Sequence, residues 1–98
     1  MIKLIAVNVS GQGVTIDGHA GYSGKGKDIV CAAVSVLAQN LICSMEALTG
    51  DGITYQIREG HIDIVFKDLS EKGKLLVDSF FIGICKVQEV YADYIQIR

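Results

Sequence analysis

Residues 28–52, DIVCAAVSVLAQNLICSMEALTGDG, contain the longest helical pattern of the chain and largely decide its fold. Asp28 is suited to capping a helix that begins behind it, and Gly50 and Gly52 interrupt the pattern at the other end. The stretch therefore predicts a long helix that buries one face. Apolar side chains recur there at helical spacing: Val30, Val34, Leu37, Leu41, Met45 and Leu48.

Extended segments flank this helix on both sides. Before it, residues 2–9 and 14–19 are rich in apolar side chains and are separated by a glycine-containing turn, which predicts a hairpin. After it, residues 53–57 and 62–66 alternate apolar and polar side chains on either side of a short turn, which predicts a second hairpin.

A second helix and a last strand complete the pattern. Ser70 is a suitable N-cap, Glu71 places a negative charge at the positive end of the helix, and the helical pattern runs to about Tyr91. Residues 94–97 are predicted to form the last strand. The order ββαββαβ predicts an α+β fold in which two helices pack on one sheet of about five strands. A chain of 98 residues without a linker-like tract predicts a single domain over residues 1–98.

Composition excludes several classes of function. A net charge of −2 and a pI of about 5.5 leave no basic surplus, so we expect no direct contact with nucleic acid. No stretch approaches the roughly 20 apolar residues of a membrane span, so no membrane partner is expected. The three cysteines are widely spaced and form no CxxC pair, which argues against a disulfide framework and a zinc site. We expect a cytoplasmic protein without metal or cofactor.

Apolar residues are more abundant than a lone small domain needs. Half of the chain is hydrophobic and its mean hydropathy is +0.38. The excess predicts a homodimer, with the second helix as the candidate contact surface. Alternatively, Phe81 and Ile84 are only half exposed and need no partner. Apolar residues surround most of this helix: Phe80, Phe81, Ile82, Ile84, Val87 and Val90.

The chemistry is expected in residues 18–35, GHAGYSGKGKDIVCAAVS. His19 ends a predicted strand, and Cys31 would be the third residue of the helix capped by Asp28. Unpaired backbone N–H groups at that position, together with a nearby imidazole, would favour the thiolate, which is the nucleophilic form of cysteine. The same N–H groups could stabilise an oxyanion. These residues therefore predict a cysteine nucleophile with a histidine base.

The same residues have other interpretations. The Asp28 carboxylate would oppose a nearby thiolate by like charge. Ser35 lies one helical turn after Cys31 and either hydrogen-bonds the site or bonds the Cys31 carbonyl. Cys31 itself could be a small buried hydrophobe, as a lone helical cysteine often is. His61 is expected to be solvated, and Cys43 and Cys85 are expected in the core.

A glycine-rich loop is predicted between His19 and the helix, and we expect it to fold over a bound peptide. Its residues also spell the phosphate-loop pattern GxxxxGK, but Asp28 stands where a magnesium-binding Ser or Thr is required and would repel phosphate. A cysteine phosphatase is disfavoured because Leu37 occupies the position of the phosphate-binding arginine. The loop consists of Gly21, Tyr22, Ser23, Gly24, Lys25, Gly26 and Lys27.

The GHA triplet at residues 18–20, followed by GKDIVCAAVS at residues 26–35, resembles the signature of the bacterial ribosomal-processing cysteine proteases. The length and the ββαββαβ order are similar over essentially the whole chain. By this resemblance His19 is the base, Cys31 the nucleophile, and Ser35 matches the serine that follows. The loop is unusually rich in glycine and lysine, which leaves the peptide preference open.

The resemblance implies a homodimeric endopeptidase without a cofactor. Its partner would be the N-terminal peptide of a large-subunit ribosomal protein precursor, cut after apolar and aromatic residues. Relatives are also implicated in processing phage head proteins. Either Asp17 or Asp28 could orient His19. The rival interpretation is a non-catalytic dimeric module that binds a peptide or a ribosomal protein without cutting it.

Overall fold

Five strands and two helices alternate in the predicted order ββαββαβ. A computed structural model describes residues 5–18 and 25–98, with the backbone alone for residues 25–28. The elements are β1 (Ile5–Val9), β2 (Gly13–Asp17), α1 (Lys25–Leu48), β3 (Gly52–Arg58), β4 (His61–Lys67), α2 (Glu71–Val90) and β5 (Ile95–Ile97). The α+β class and both hairpins are confirmed.

The strands form one mixed sheet in the order β3-β4-β2-β1-β5. Three of the pairings are antiparallel, whereas β1 and β5 run parallel. The β2–β4 pairing brings the first hairpin against the second, and its last registered pair joins Asp17 to His61. The end of β2 therefore lies beside the start of β4.

One face of the sheet forms the core with both helices. Alternate residues of β1, β2 and β4 are buried, as expected for strands that are covered on one face only. Because they belong to the same cluster as the buried residues of α1 and α2, both helices cover that face. Fully buried side chains at its centre are Val7, Val14, Val30, Val34, Leu41, Met45, Ile64, Ile84 and Ile95.

Helix α1 begins at Lys25, one turn before the predicted start, so the expectation that Asp28 caps it is wrong. Gly26 costs about 1 kcal/mol in a helix but does not block the helical backbone, and the chain contains no proline to stop it. An aspartate is also favourable inside the first turn, where the helix dipole attracts negative charge. Asp28 therefore fits a first-turn position as well as a cap.

The expectation that no stretch is long and apolar enough for a membrane span is also wrong. Ile29–Leu48 meets both criteria, with a mean hydropathy of 1.6. One third of this segment is buried inside the fold. Helix α1 supplies six residues to the core, so burial against the sheet explains part of its apolar character. These are Val30, Val34, Ala38, Leu41, Ile42 and Met45.

Helix α2 agrees closely with its prediction. Ser70 is the N-cap and its side chain accepts a hydrogen bond from the Gly73 N–H, and the helix ends at the Tyr91 C-cap. Some of its apolar residues are buried and others are exposed to solvent. Ile84 is completely buried, so the alternative that it is half exposed is wrong, whereas Phe81 is 39% exposed.

Strand β3 is an edge strand that the helices leave uncovered. Tyr55 is in register with buried Ile64, and Ile57 with buried Ile62, so these pairs share the helix-facing side of the sheet. Tyr55 and Ile57 are nevertheless 44% and 48% exposed. An open apolar surface therefore lies beside α1 along this edge.

Candidate active site

The end of β2 is held against two other strands at Gly18. The Gly18 N–H donates a hydrogen bond of 3.0 Å to the Gly60 carbonyl, in the turn between β3 and β4. A Cβ atom at Gly18 would lie 2.8 Å from the Ile5 Cα, closer than packed carbon atoms approach. The glycine of the GHA triplet is therefore needed for this contact with β1.

Cys31 lies in the second turn of α1, where it is half-buried and packs against the core cluster. Because the helix begins at Lys25, Cys31 is its seventh residue, and the prediction that it occupies the third position is wrong. The unpaired N–H groups lie in the first turn, and the effect of the helix dipole falls off within that turn. The helix dipole therefore contributes little to stabilising a thiolate at this position.

Gly18 and Cys31 line the same pocket. The cavity measures about 120 Å³ and lies between the first half of α1 and the end of the sheet where β2 stops and β4 starts. Its walls include the apolar side chains of Ile16, Val34 and Ile57. The strand end that precedes His19 and the predicted nucleophile are thus brought together by the fold.

Polar residues also line this pocket. Ser35 lines it together with Cys31, as the one-turn spacing predicts. Gln39, a further turn along the same helix face, lines it too, and Arg58 reaches it from the end of β3. Gln39 was missed although it continues the four-residue spacing from Cys31. Arg58 could not be found from spacing, because only the sheet brings it to the helix.

His61 was predicted to be solvated, and the structure leaves its side chain partly exposed but paired. Its Nδ1 pairs with Asp17 Oδ1 at 2.5 Å, and its side chain is 28% exposed. Strand alternation places both side chains on the face opposite that of Ile62, while His61 also lines the pocket. Asp17, one of two candidate orienters for His19, is therefore engaged by a different histidine.

Several predicted site residues lie outside the described residues. They are His19 and the first four loop residues, Gly21, Tyr22, Ser23 and Gly24. The side chain of Asp28 is also outside the description. The remaining loop residues, Lys25, Gly26 and Lys27, belong to helix α1, so the loop prediction is wrong for these three positions.

The other cysteines differ from their predictions. Cys43 is exposed on α1, so the prediction that it lies in the core is wrong, and Cys85 is half-buried on α2. None of the three cysteines is in a disulfide. Within residues 5–18 and 25–98, no group of three or more His, Cys, Asp or Glu side chains is arranged to hold a metal ion.

Sequence comparison identifies related proteins over almost the whole chain. The family model of cysteine protease Prp matches residues 1–96. The ribosomal processing cysteine protease Prp of Staphylococcus aureus (strain Mu50 / ATCC 700699) is 29% identical over 99 residues, which cover 96% of this chain and 93% of that protein. The protein of the same name from strain NCTC 8325 / PS 47 matches equally well.

Solved structures share the fold. Prp from S. aureus in complex with a substrate peptide superposes with a TM-score of 0.86 at 21% identity, covering 99% of this chain and 98% of that one. The same protease with a covalently linked product peptide gives 0.82 at 22% identity and the same coverage. SMU.848 from Streptococcus mutans gives 0.83 at 29% identity, covering 99% and 92% of the two chains.

Proposed function

The chain belongs to the Prp family of cysteine proteases, and from this premise we propose that Cys31 is its nucleophile and His19 its general acid and base. As a family member it is a hydrolase of peptide bonds. The observation that carries the residue assignment is the pocket shared by Cys31 and Gly18. His19 follows Gly18 directly, and consecutive Cα atoms are about 3.8 Å apart, so the chain reaches His19 one residue after it leaves the pocket lining.

The proposed reaction is acyl transfer in two steps. The Cys31 thiolate attacks the scissile carbonyl, the peptide C–N bond breaks, and imidazolium at His19 gives its proton to the departing amine. Water, deprotonated by His19, then attacks the thioester, the C–S bond breaks to regenerate the Cys31 thiolate, and the released N-terminal fragment carries the new carboxylate. An imidazolium beside the sulfur also supplies the positive charge that the second turn of α1 provides only weakly.

The pocket dimensions support a cut beside an apolar side chain. A cavity of about 150 Å³ lined by aliphatic residues accommodates benzene, and the cavity beside Cys31 is of similar size. Its walls from Ile16, Val34 and Ile57 are apolar. The side chain of the residue whose carbonyl is attacked would fill it, which agrees with cleavage after apolar or aromatic residues.

The edge strand β3 offers a path for the rest of the peptide. Its last residues, Ile57 and Arg58, line the pocket, and its outer edge has no strand partner among the described elements. An extended peptide can add to such an edge through main-chain hydrogen bonds. The S. aureus relatives with a substrate peptide and a covalently linked product peptide support this kind of ligand.

The substrate we propose is the N-terminal extension of a large-subunit ribosomal protein precursor, processed in the cytoplasm by a homodimer. The S. aureus relatives are named for ribosomal processing, which supports this choice. A phage head protein precursor is the substrate to compare with it. No cofactor takes part in the proposed reaction.

Mass spectrometry of the products tests the proposal. The purified protein is incubated with each precursor, and we expect one N-terminal fragment from the ribosomal precursor, ending at an apolar or aromatic residue. Cys31→Ala should produce none. His19→Ala should lower the rate by roughly 100-fold or more, the usual share of general acid–base catalysis, whereas His61→Ala should leave a clearly measurable rate. A His19→Ala rate equal to that of the unmodified protein would contradict the proposed base.

Iodoacetamide distinguishes the enzyme from a module that only binds peptides. Cys43 is exposed and Cys31 half-buried, so accessibility alone predicts faster alkylation of Cys43. A thiolate at position 31 reverses that order, because the thiolate is the reactive form. Faster labelling of Cys31 at neutral pH supports the protease. Slower labelling of Cys31 than of Cys43 supports the binding module.

A further inference from the structure

The β2–β4 ladder ends at a single side-chain pair beside the active-site pocket. Asp17 and His61 are its last registered residues, and their side chains are bonded to each other at 2.5 Å. Immediately beyond them, the Gly18 N–H donates to the Gly60 carbonyl at 3.0 Å.

The residues held by these two bonds form one wall of the pocket. Gly18, Gly60 and His61 all line it opposite Cys31. Gly60, in the turn between β3 and β4, has a φ of 75°. A glycine adopts this angle without the strain that another residue would incur. A shift of the strand end would therefore change the distance between the pocket wall and the sulfur.

The pair itself lies on the other face of the sheet. Asp17 directly follows buried Ile16, and His61 directly precedes buried Ile62. Because side chains alternate between the two faces of a strand, those of Asp17 and His61 point away from the helices. Asp17 is 60% exposed. The two side chains are thus suited to holding the backbone of the wall in place and not to touching the reacting atoms.

We propose that Asp17 and His61 are positioning residues, which fasten the ends of β2 and β4 together and so hold the Gly18–Gly60 wall at the distance from Cys31 that the reaction requires. This inference rests on the proposed function in that it takes the Cys31 pocket as the active site. The ends of strands fray unless contacts oppose it. The bond between Asp17 and His61 supplies a side-chain contact at the end of β2 and the start of β4. Loss of either partner lets the wall move.

Single substitutions and their combination test the pair. Asp17→Ala and His61→Ala should each lower kcat/KM for peptide cleavage by about five- to tenfold, equivalent to about 1 kcal/mol or slightly more. The double variant should be no worse than either single one, because residues that act as a unit are not additive. His61→Asn retains a donor near the position of Nδ1 and should restore most of the activity. Thermal unfolding checks that all variants fold.

Asp63→Ala is the matched control. Asp63 lies two residues after His61 on the same strand face, opposite Thr15, so it shares strand and face but no bond to Asp17. It should keep full activity. Equal losses in Asp63→Ala and Asp17→Ala, additive losses in the double variant, or unchanged rates in both single variants would each overturn the pairing role.

The outcomes also separate this inference from the proposed function. If Cys31→Ala or His19→Ala keeps full activity, the proposed function fails whatever the pair does. If His61→Ala abolishes cleavage as completely as Cys31→Ala and His61→Asn restores nothing, His61 is the base and the positioning role is wrong. If His61→Asn restores activity while His19→Ala remains inactive, both proposals stand.

Discussion

The two ends of helix α1 meet the rest of the fold in different ways. At its C-terminal end, polar groups satisfy one another. The Asp51 Oδ2 accepts hydrogen bonds from the Ser70 N–H at 3.1 Å and the Ser70 hydroxyl at 2.9 Å, and Ser70 in turn caps α2. Thr49 donates to the Met45 carbonyl at 2.7 Å. The network joins the end of α1 to the start of α2.

At the other end of α1, polar groups line part of a pocket. Ser35, Gln39 and Arg58 line it with Cys31, and the Asp17–His61 bond lies behind its wall. Both ends thus contain a carboxylate that joins two distant parts of the chain. The Asp51 carboxylate binds the N-cap residue of α2 and stabilises the fold. The Asp17 carboxylate lies beside a pocket whose reactive groups stay accessible. Substitutions at the two ends should accordingly separate stability from activity.

Removal of the sulfur at the pocket end should have the largest effect. Cys31→Ala is expected to abolish cleavage, because no other described side chain in the pocket is a strong nucleophile. Its free energy of unfolding should change by less than about 1.5 kcal/mol, since Cys31 is small and half-buried. Cys43→Ala, at an exposed position on the same helix, is the control and should keep full activity. Activity assays and denaturant unfolding measure both quantities.

Gly18→Ala should cost both activity and stability. Its Cβ would meet the Ile5 Cα at 2.8 Å, so either β1 or the end of β2 has to move. We expect about 1–3 kcal/mol of destabilisation, typical of overpacking, with a loss of activity of at least tenfold in molecules that remain folded. Gly11→Ala is the matched control, since a Cβ there meets nothing within 4 Å. Equal behaviour of the two variants would contradict a tight fit at Gly18.

Asp51→Ala should affect stability alone. It removes the carboxylate oxygen that accepts from both the N–H and the hydroxyl of Ser70 at the start of α2, and we expect a loss of about 1 kcal/mol, or roughly 4–8 °C in Tm for a domain of this size. The kcat/KM of the folded protein should stay unchanged, because the network lies at the end of α1 far from Cys31. A loss of activity at a temperature where the variant is fully folded would show that the two ends are coupled.

Local chemistry explains which helix start was predictable from the sequence. The start of α2 follows from Ser70, whose side chain bonds the Gly73 N–H three residues away. The start of α1 offered Asp28 as an equally plausible cap, but Gly26 is tolerated and the helix extends to Lys25. A sequence pattern does not distinguish a capping aspartate from one in the first turn, because both positions favour it.

The active site was predictable only where its residues share one element. Cys31 and Ser35 are brought together by helical spacing. The exposure of Cys43 could also have been inferred, since it lies two residues from both Leu41 and Met45 and therefore off the predicted apolar face of the helix. The bond between Asp17 and His61 joins residues 44 positions apart. It depends on the register between two hairpins, which no local pattern specifies.

Substitutions on the exposed apolar side of α2 should have the smallest effect on the stability of the chain. If a homodimer forms there, Ile82→Glu should shift the protein toward monomer in light scattering, because burying an unpaired carboxylate in an apolar contact is costly. Leu48→Glu is the matched control, since Leu48 and Ile82 are both 62% exposed but Leu48 lies at the end of α1. Each variant should change the free energy of folding by less than about 0.5 kcal/mol. Cys31 and its pocket lie within one chain, so cleavage per active site should not depend on the dimer. We expect it to fall by less than about twofold, the ratio that corresponds to about 0.5 kcal/mol. A monomeric unmodified protein, or the same mass for both variants, would instead make Ile82 an ordinary exposed apolar residue.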